Sequence, residues 1–416
     1  MTHHDYWGWL VWLVACLWPL SLGAFDDTVT GCKLPTVVLS NRSLGYADFN
    51  RHGAQCKTAS GAAASDTNTL PEQFHFTRVR TFPSAQASGA PSPATAILVL
   101  LCGGAKAAGT QLGLLKARFH TWHRFLLGPH GVVLILASDT PDMRRKAKAA
   151  LSLRAATPPC DIPWNSLDTG YEFLEHHAGG MTSYVLLTYV ALPVPQWVAV
   201  QNRTNDHMRG WSTRVYYYNY ILCNNWYYFD GLRLQVLDYF DFLFKVDNDV
   251  VFTQPMPSIG QEMAENDAWL LHTAQLTDPP AFAKSSKATM QQYVALQSLR
   301  CGYPVAPVSQ GERWFERETT VWFGNFIGIW LGLLQSPEIM AFAHTFTHVD
   351  MGKRVFLNRW TDQQYWPKAF GLAANRSHLL DRTLWRQDKW FLHKTCCKRG
   401  ERCYCRGRGA KGAEPP

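Results

Sequence analysis

Phe242-Leu243-Phe244-Lys245-Val246-Asp247-Asn248-Asp249-Val250-Val251-Phe252 is the stretch on which the reading of this chain turns. Five β-prone, largely apolar residues run into two carboxylates one residue apart, and three apolar residues follow. A short continuous apolar run is how a strand buried on both faces reads. In open α/β sheets, ligands bind beyond the carboxyl ends of the strands. Asp247 and Asp249 therefore stand where such a fold keeps its site. Two acids at i and i+2 on a strand tip can share one divalent cation, which offsets the charge of a departing diphosphate. An isolated acid-x-acid triplet is in most proteins a solvated turn. The buried strand before this one and the Val-Val-Phe after it favour a metal site.

Working outward, Ala96 to Cys102 (AILVLLC) reads as another buried parallel strand, with Gly103-Gly104 opening the loop after it. Lys106 to Leu127 has helical spacing, with Leu112, Leu115, Phe119 and Trp122 on one side. Gly131 to Ala137 (GVVLILA) is a second buried strand, closed by Ser138-Asp139. Met143 to Ala155 reads as a basic helix, Tyr184 to Leu192 as a strand, and Trp211 to Tyr228 as a helix. Beyond the acidic motif, Ala268 to Ala274 is a strand candidate and Thr320 to Leu334 an apolar run of strand and helix. Glu338 to His348 reads as a helix started by Ser336-Pro337, and Asp362 to Leu372 as another. Alternation of this kind predicts an α/β fold, a mixed, mostly parallel sheet flanked by helices. On fold logic alone, Gly103 and Asp139 lie near a bound nucleotide. His393, closing the apolar Trp390-Phe391-Leu392, is the candidate third metal ligand, with a packed histidine as the plainer alternative. His344 and His348 are four apart on a helix and read as a helix face sooner than a metal pair.

The 416 residues are 47% hydrophobic and 17% charged, a balance that excludes a disordered chain and suits one large domain. The net charge of +8 is concentrated partly in a terminal run, Lys398 to Lys411, which reads as a solvated basic tail. No zinc finger, basic helix or aromatic RNA-binding pattern is present, so a nucleic acid partner is not expected. Tyr6 to Leu22 is an apolar run followed by small residues. It reads equally as a signal peptide cleaved near Gly23 or Ala24, or as a retained membrane anchor at the lower length limit. Both readings put the rest of the chain in the secretory pathway, in the Golgi lumen as a type II membrane protein or secreted. Sequons at Asn41, Asn202 and Asn375 agree with that, as do the ten cysteines left once Cys16 in the leader is set aside. Cys396, Cys397, Cys403 and Cys405 lack the paired spacing of a zinc site and suit disulfides. The expected organisation is a leader (1–24), an Ala/Ser/Gly/Pro-rich stem (25–93), a catalytic domain (94–395) and a Cys-rich basic tail (396–416).

From Tyr217 to Asp362 the chain resembles the fungal Golgi α-1,2-mannosyltransferase family, whose fold is the nucleotide-diphospho-sugar transferase fold called GT-A. Three stretches carry the likeness. Tyr220-Ile221-Leu222-Cys223 and Trp226-Tyr227-Tyr228 are similar to the family's aromatic, cysteine-bearing helix, and Phe240 to Val250 to its metal-motif strand. Trp322-Phe323-Gly324-Asn325-Phe326 resembles a second motif, with Ile327 where the family carries a glutamate considered as a nucleophile. Asp350, Phe356, Arg359, Trp360 and Asp362 match a segment ending Arg-Trp-x-Asp at fixed offsets. The resemblance implies Mn²⁺ or Mg²⁺ held by Asp247, Asp249 and His393, and a GDP- or UDP-sugar donor. It further implies Asp362 orienting a sugar hydroxyl, Asn325 bonding the donor sugar, and a glycan or glycoprotein acceptor. Ile327 weakens any covalent route and leaves a front-face retaining transfer open. The expected activity is thus a metal-dependent hexosyltransferase. Two other readings stay open: a non-catalytic lumenal or secreted protein of the same fold, and a secreted hydrolase pairing Asp247 or Asp249 with Asp362.

Overall fold

The computed structural model describes residues 71–83, 93–156, 170–192, 217–349, 354–355 and 360–392. The leader, most of the stem and the Cys-rich tail lie outside the described residues, and so does His393. Among the described residues no helix is long and apolar enough to cross a membrane.

A nine-stranded sheet forms the centre. Its strands are β1 (Thr95–Leu101), β2 (Val133–Ser138), β3 (Arg154–Ala155), β4 (Tyr171–Ala178) and β5 (Met181–Tyr189). They are completed by β6 (Phe242–Val246), β7 (Leu270–His272), β8 (Phe326–Trp330) and β9 (Leu379–Asp381). Across the sheet the order is β9-β7-β8-β6-β1-β2-β5-β4-β3. β6, β1, β2 and β5 pair in parallel, and only β4 and β8 run against the rest. This is the mostly parallel sheet the sequence predicts. Every residue of β1, β6 and β8 is buried, as expected of strands covered on both faces. β4 and β5 form a hairpin turned by Gly179 and Gly180 at φ of 57° and 75°, a backbone that glycine adopts freely.

Helices flank the sheet: α1 (Gly104–Trp122), α2 (Met143–Ala150), α3 (Tyr217–Tyr228), α4 (Ile259–Glu265), α5 (Ser286–Cys301), α6 (Pro337–His348) and α7 (Asp362–Ala373). α6 starts as its sequence predicts: Pro337 follows Ser336, whose side chain accepts from the Ile339 N–H. α7 opens with a capping box between Thr361 and Gln364. Cys102, just past β1, is disulfide-bonded to Cys223 on α3, and Cys301 is also disulfide-bonded.

Chain order places the site. From β1 the chain steps to β2 on one side, whereas β6 adds to the other side of β1 and leads away to β7. Loops leaving neighbouring parallel strands in opposite directions open a crevice at their carboxyl ends. Here those carboxyl ends lead into Cys102-Gly103 and Asp247.

Residues 71–83 belong to the same body. Glu72–Gln73 pairs in parallel with Val305–Ala306. Phe82 stands edge-on to Phe242 and Trp330 at 5.8 and 5.3 Å between ring centroids. The Thr77 N–H and hydroxyl both donate to the buried Glu338 carboxylate, at 2.8 and 2.7 Å.

Candidate active site

β6 ends at Val246, and the acidic motif forms a turn directly beyond it. The Asp247 N–H donates to the Asn325 carbonyl at 3.0 Å, and the Val250 N–H closes the turn onto the Asp247 carbonyl at 3.0 Å. The Trp122 indole, at the end of α1, donates to the Val250 carbonyl at 2.8 Å and ties the turn to the helix layer. Asp247, Asn248 and Asp249 are half-buried in this turn.

One residue of β6 breaks the apolar run. Lys245 is buried, and its Nζ lies 2.7 Å from Asp362 Oδ2 and 3.6 Å from Asp247 Oδ1. The ammonium also donates to Asn224 Oδ1 at 3.3 Å and sits 4.7 Å above the centre of the Tyr227 ring. Burial alone would lower the Lys245 pKa, but Asp362 and then Asp247 outweigh it and hold the ammonium above the usual lysine range. Burial pushes the Asp362 carboxyl up from its ordinary range, and Lys245 opposes that shift.

Asp362 is the first residue of α7, and its side chain has no exposure. The favourable field of a helix N-terminus acts on a carboxylate there. Its Oδ2 also accepts from the Trp366 indole at 3.3 Å. Space for this pair comes from Gly324: a Cβ there would stand 2.4 Å from Asp362 Oδ2 and 3.0 Å from Lys245 Nζ. Gly324 matters for this close approach, since its backbone is not in the left-handed region.

Asn325, beside Gly324, is buried, and neither atom of its side-chain amide has a hydrogen-bond partner within the protein. Asp362 Oδ1 and Asn248 Nδ2 are in the same condition. Buried polar atoms are nearly always satisfied, so these orphans beside the acidic turn single out the end of β6 as the candidate site.

The other expected site residues have different duties. Asp139 Oδ2 accepts from the Gly103 and Gly104 N–H groups at 2.8 and 3.1 Å. The loops after β1 and β2 are thus tied together, and this carboxylate occupies the amino end of α1. His393 is outside the described residues, but the two residues before it are placed: Leu392 pairs with Val251 and Phe391 with Phe252, antiparallel. The last described residue before His393 therefore runs beside the strand that follows Asp249. Ile327 is fully buried in β8, in register between Lys245 on one side and His272 on the other. It is a core residue and offers no nucleophile. His344 and His348 are stacked at 4.0 Å on α6, with His344 pushed down by burial to about 3. Among the described residues no three His, Cys, Asp or Glu side chains gather around a point that could hold a metal.

Lys245, with Asn224, Tyr227 and Gly324 around it, does not stand out in the sequence as a candidate site residue. A lone lysine inside an apolar strand was the available signal.

No family model matches the chain, and no curated protein matches it. Among solved structures it is similar to core-mannan synthase A from Aspergillus fumigatus in its Mn/GDP form, with 13% identity and a TM-score of 0.48 over 75% of this chain and 78% of that one. It is similar to the Saccharomyces cerevisiae mannosyltransferase Ktr4p in complex with GDP, with 13% identity and a TM-score of 0.47 over 74% of each chain. Mouse xyloside xylosyltransferase 1 follows at 12% identity and a TM-score of 0.34, covering 73% of this chain and 98% of that one.

Proposed function

We propose that the chain is a glycosyltransferase that binds a nucleotide-sugar donor through a divalent cation and transfers the sugar to a glycan or glycoprotein acceptor in the secretory pathway. The observation that carries this reading is the meeting of two kinds of group at one strand tip. Asp247 and Asp249 provide carboxylates for a cation, and the orphaned Asn325 amide and Asp362 Oδ1 provide acceptors and donors for hydroxyls. A nucleotide sugar needs both. The cation, Mn²⁺ or Mg²⁺, would supply positive charge to the departing diphosphate. Asp247 and Asp249 would hold it, with His393 as the third ligand, a role supported by the pairing of Leu392 with Val251. Asp362 and Asn325 would orient the transferred sugar. The loop at Gly103, held by Asp139, would border the nucleotide, a GDP or UDP moiety by the resemblance. Burial of Ile327, and of Asp362 against Lys245, speaks against a covalent glycosyl-enzyme and for a front-face transfer.

The test is nucleotide release from a panel of GDP- and UDP-sugars, with Mn²⁺ and with and without simple acceptors. Release from one donor, dependent on Mn²⁺ and reduced at least ~100-fold in Asp249→Asn, is the expected result, since charge stabilisation by such an ion is worth several kcal/mol. A folded protein that binds Mn²⁺ and nucleotide yet releases nothing would instead be the non-catalytic member of the fold.

A further inference from the structure

Asp247 and Asp249 lie in the turn beyond β6 and Asp362 reaches Lys245 within that strand, and a divalent cation would accept any one of these carboxylates as a ligand. The Lys245 ammonium meets both Asp362 and Asp247. Lys245 Nζ is in direct contact with Asp362 Oδ2 at 2.7 Å and lies 3.6 Å from Asp247 Oδ1. The first pair is closed in by Gly324, the Trp366 indole and the ring of Tyr227. Asp362 is left with one oxygen, Oδ1, that no protein group reaches. Asp247, in contrast, is a third exposed, with a side-chain exposure of 34%.

We propose that Lys245 is a positioning residue that divides the three acids, holding Asp362 out of the cation's coordination set and keeping its free oxygen for a hydroxyl of the transferred sugar, while Asp247 and Asp249 serve the cation. This inference rests on the reading of Asp247 and Asp249 as cation ligands given above. Seen from the cation site, the Lys245–Asp362 pair is close to neutral. If Asp362 loses its charge, an unopposed ammonium remains beside Asp247 and repels the cation. If both charges are removed, the repulsion goes with them. A residue that merely supports the fold would weaken binding in both variants.

The experiment is a calorimetric Mn²⁺ titration of the wild type, Asp249→Asn, Asp362→Asn and Lys245→Met/Asp362→Asn, each checked for folding by circular dichroism and followed for nucleotide release. Lys245→Met alone is avoided because it strands a buried carboxylate. Should the methionine double variant not fold, Lys245→Gln/Asp362→Asn makes the same comparison and retains the contact to Asn224. Asp362→Asn is expected to bind Mn²⁺ about 10-fold more weakly than wild type. The double variant is expected to return to within about 3-fold of it, with nucleotide release lost in both. An Asp362→Asn variant with wild-type Mn²⁺ affinity overturns the inference. So does a double variant as weak as Asp362→Asn, which would make Asp362 itself a ligand. Failure of the wild type to bind Mn²⁺ sinks the metal reading and this inference with it. Binding lost in Asp249→Asn but untouched in Asp362→Asn sinks the inference alone.

Discussion

His272 shows how a single side chain can carry a pH limit. It lies at the carboxyl end of β7, 2% exposed, with its ring parallel to Trp322 at 5.4 Å. Burial pushes its imidazole down to about 4, the Asp381 carboxylate opposes that shift, and Arg376 adds to it. Below pH ~6.5 the unfolded chain takes up a proton that the folded chain refuses, so stability falls as pH drops. The penalty is absent above pH ~6.5 and reaches on the order of 3 kcal/mol near pH 4. His272→Phe, which keeps a ring against Trp322, is expected to flatten that part of the profile. Urea unfolding of both proteins between pH 7 and 4 checks it; parallel profiles would refute it. At this same scale part of the candidate site is legible in the sequence. Asp247, Asp249, Asn325 and Asp362 stand out by residue type and spacing, and the structure gathers them. Lys245 does not stand out, because its meaning depends on Asp362, 117 positions away in the chain.

Among the elements, α3 acts as a clamp on the site. Its Cys223 is bonded to Cys102 beyond β1, its Asn224 accepts from Lys245, and its Tyr227 hydroxyl accepts from the Leu100 N–H at 2.7 Å. The disulfide closes a span of 121 residues, so its loss releases a large unfolded-state entropy. Cys102→Ser/Cys223→Ser is expected to cost about 3–5 kcal/mol, measured by urea unfolding. Nucleotide release is expected to fall with it, because Lys245 loses its backing. Largely apolar strands and capped helices were legible as elements: β1, β2, β6 and β8, and α6 with its Ser336-Pro337 start. β4 and α5 were not. β4 carries Glu172, Glu175, His176 and His177 in a half-exposed hairpin, without the alternation that marks a strand. α5 is rich in polar residues and begins after Ser285, which has a φ of 68° and no side-chain cap. Both owe their form to what they pack against.

For the molecule as a whole, the residues ahead of β1 matter more than their composition suggests. Residues 71–83 pack against Phe242 and Trp330 and provide two donors to the Glu338 carboxylate. Arg80 pairs with Asp238 in the same region, at 3.3 Å. A chain beginning at residue 71 is expected to melt cooperatively. One beginning at residue 94 would leave Glu338, whose burial already raises its pKa, without those donors, at a cost of several kcal/mol. Thermal unfolding of the two chains checks this, and equal midpoints would refute it. The sequence by itself determined the class of fold and the place of the acidic motif, because apolar runs, caps and an acid-x-acid spacing act between residues close along the chain. Only the tertiary structure decided that Asp362 is paired with Lys245, that its Oδ1 has no hydrogen-bond partner in the protein, and that Ile327 is core. Those outcomes depend on burial and on charges brought together from β6, the Gly324 loop and α7, and neither burial nor distance is written in local order.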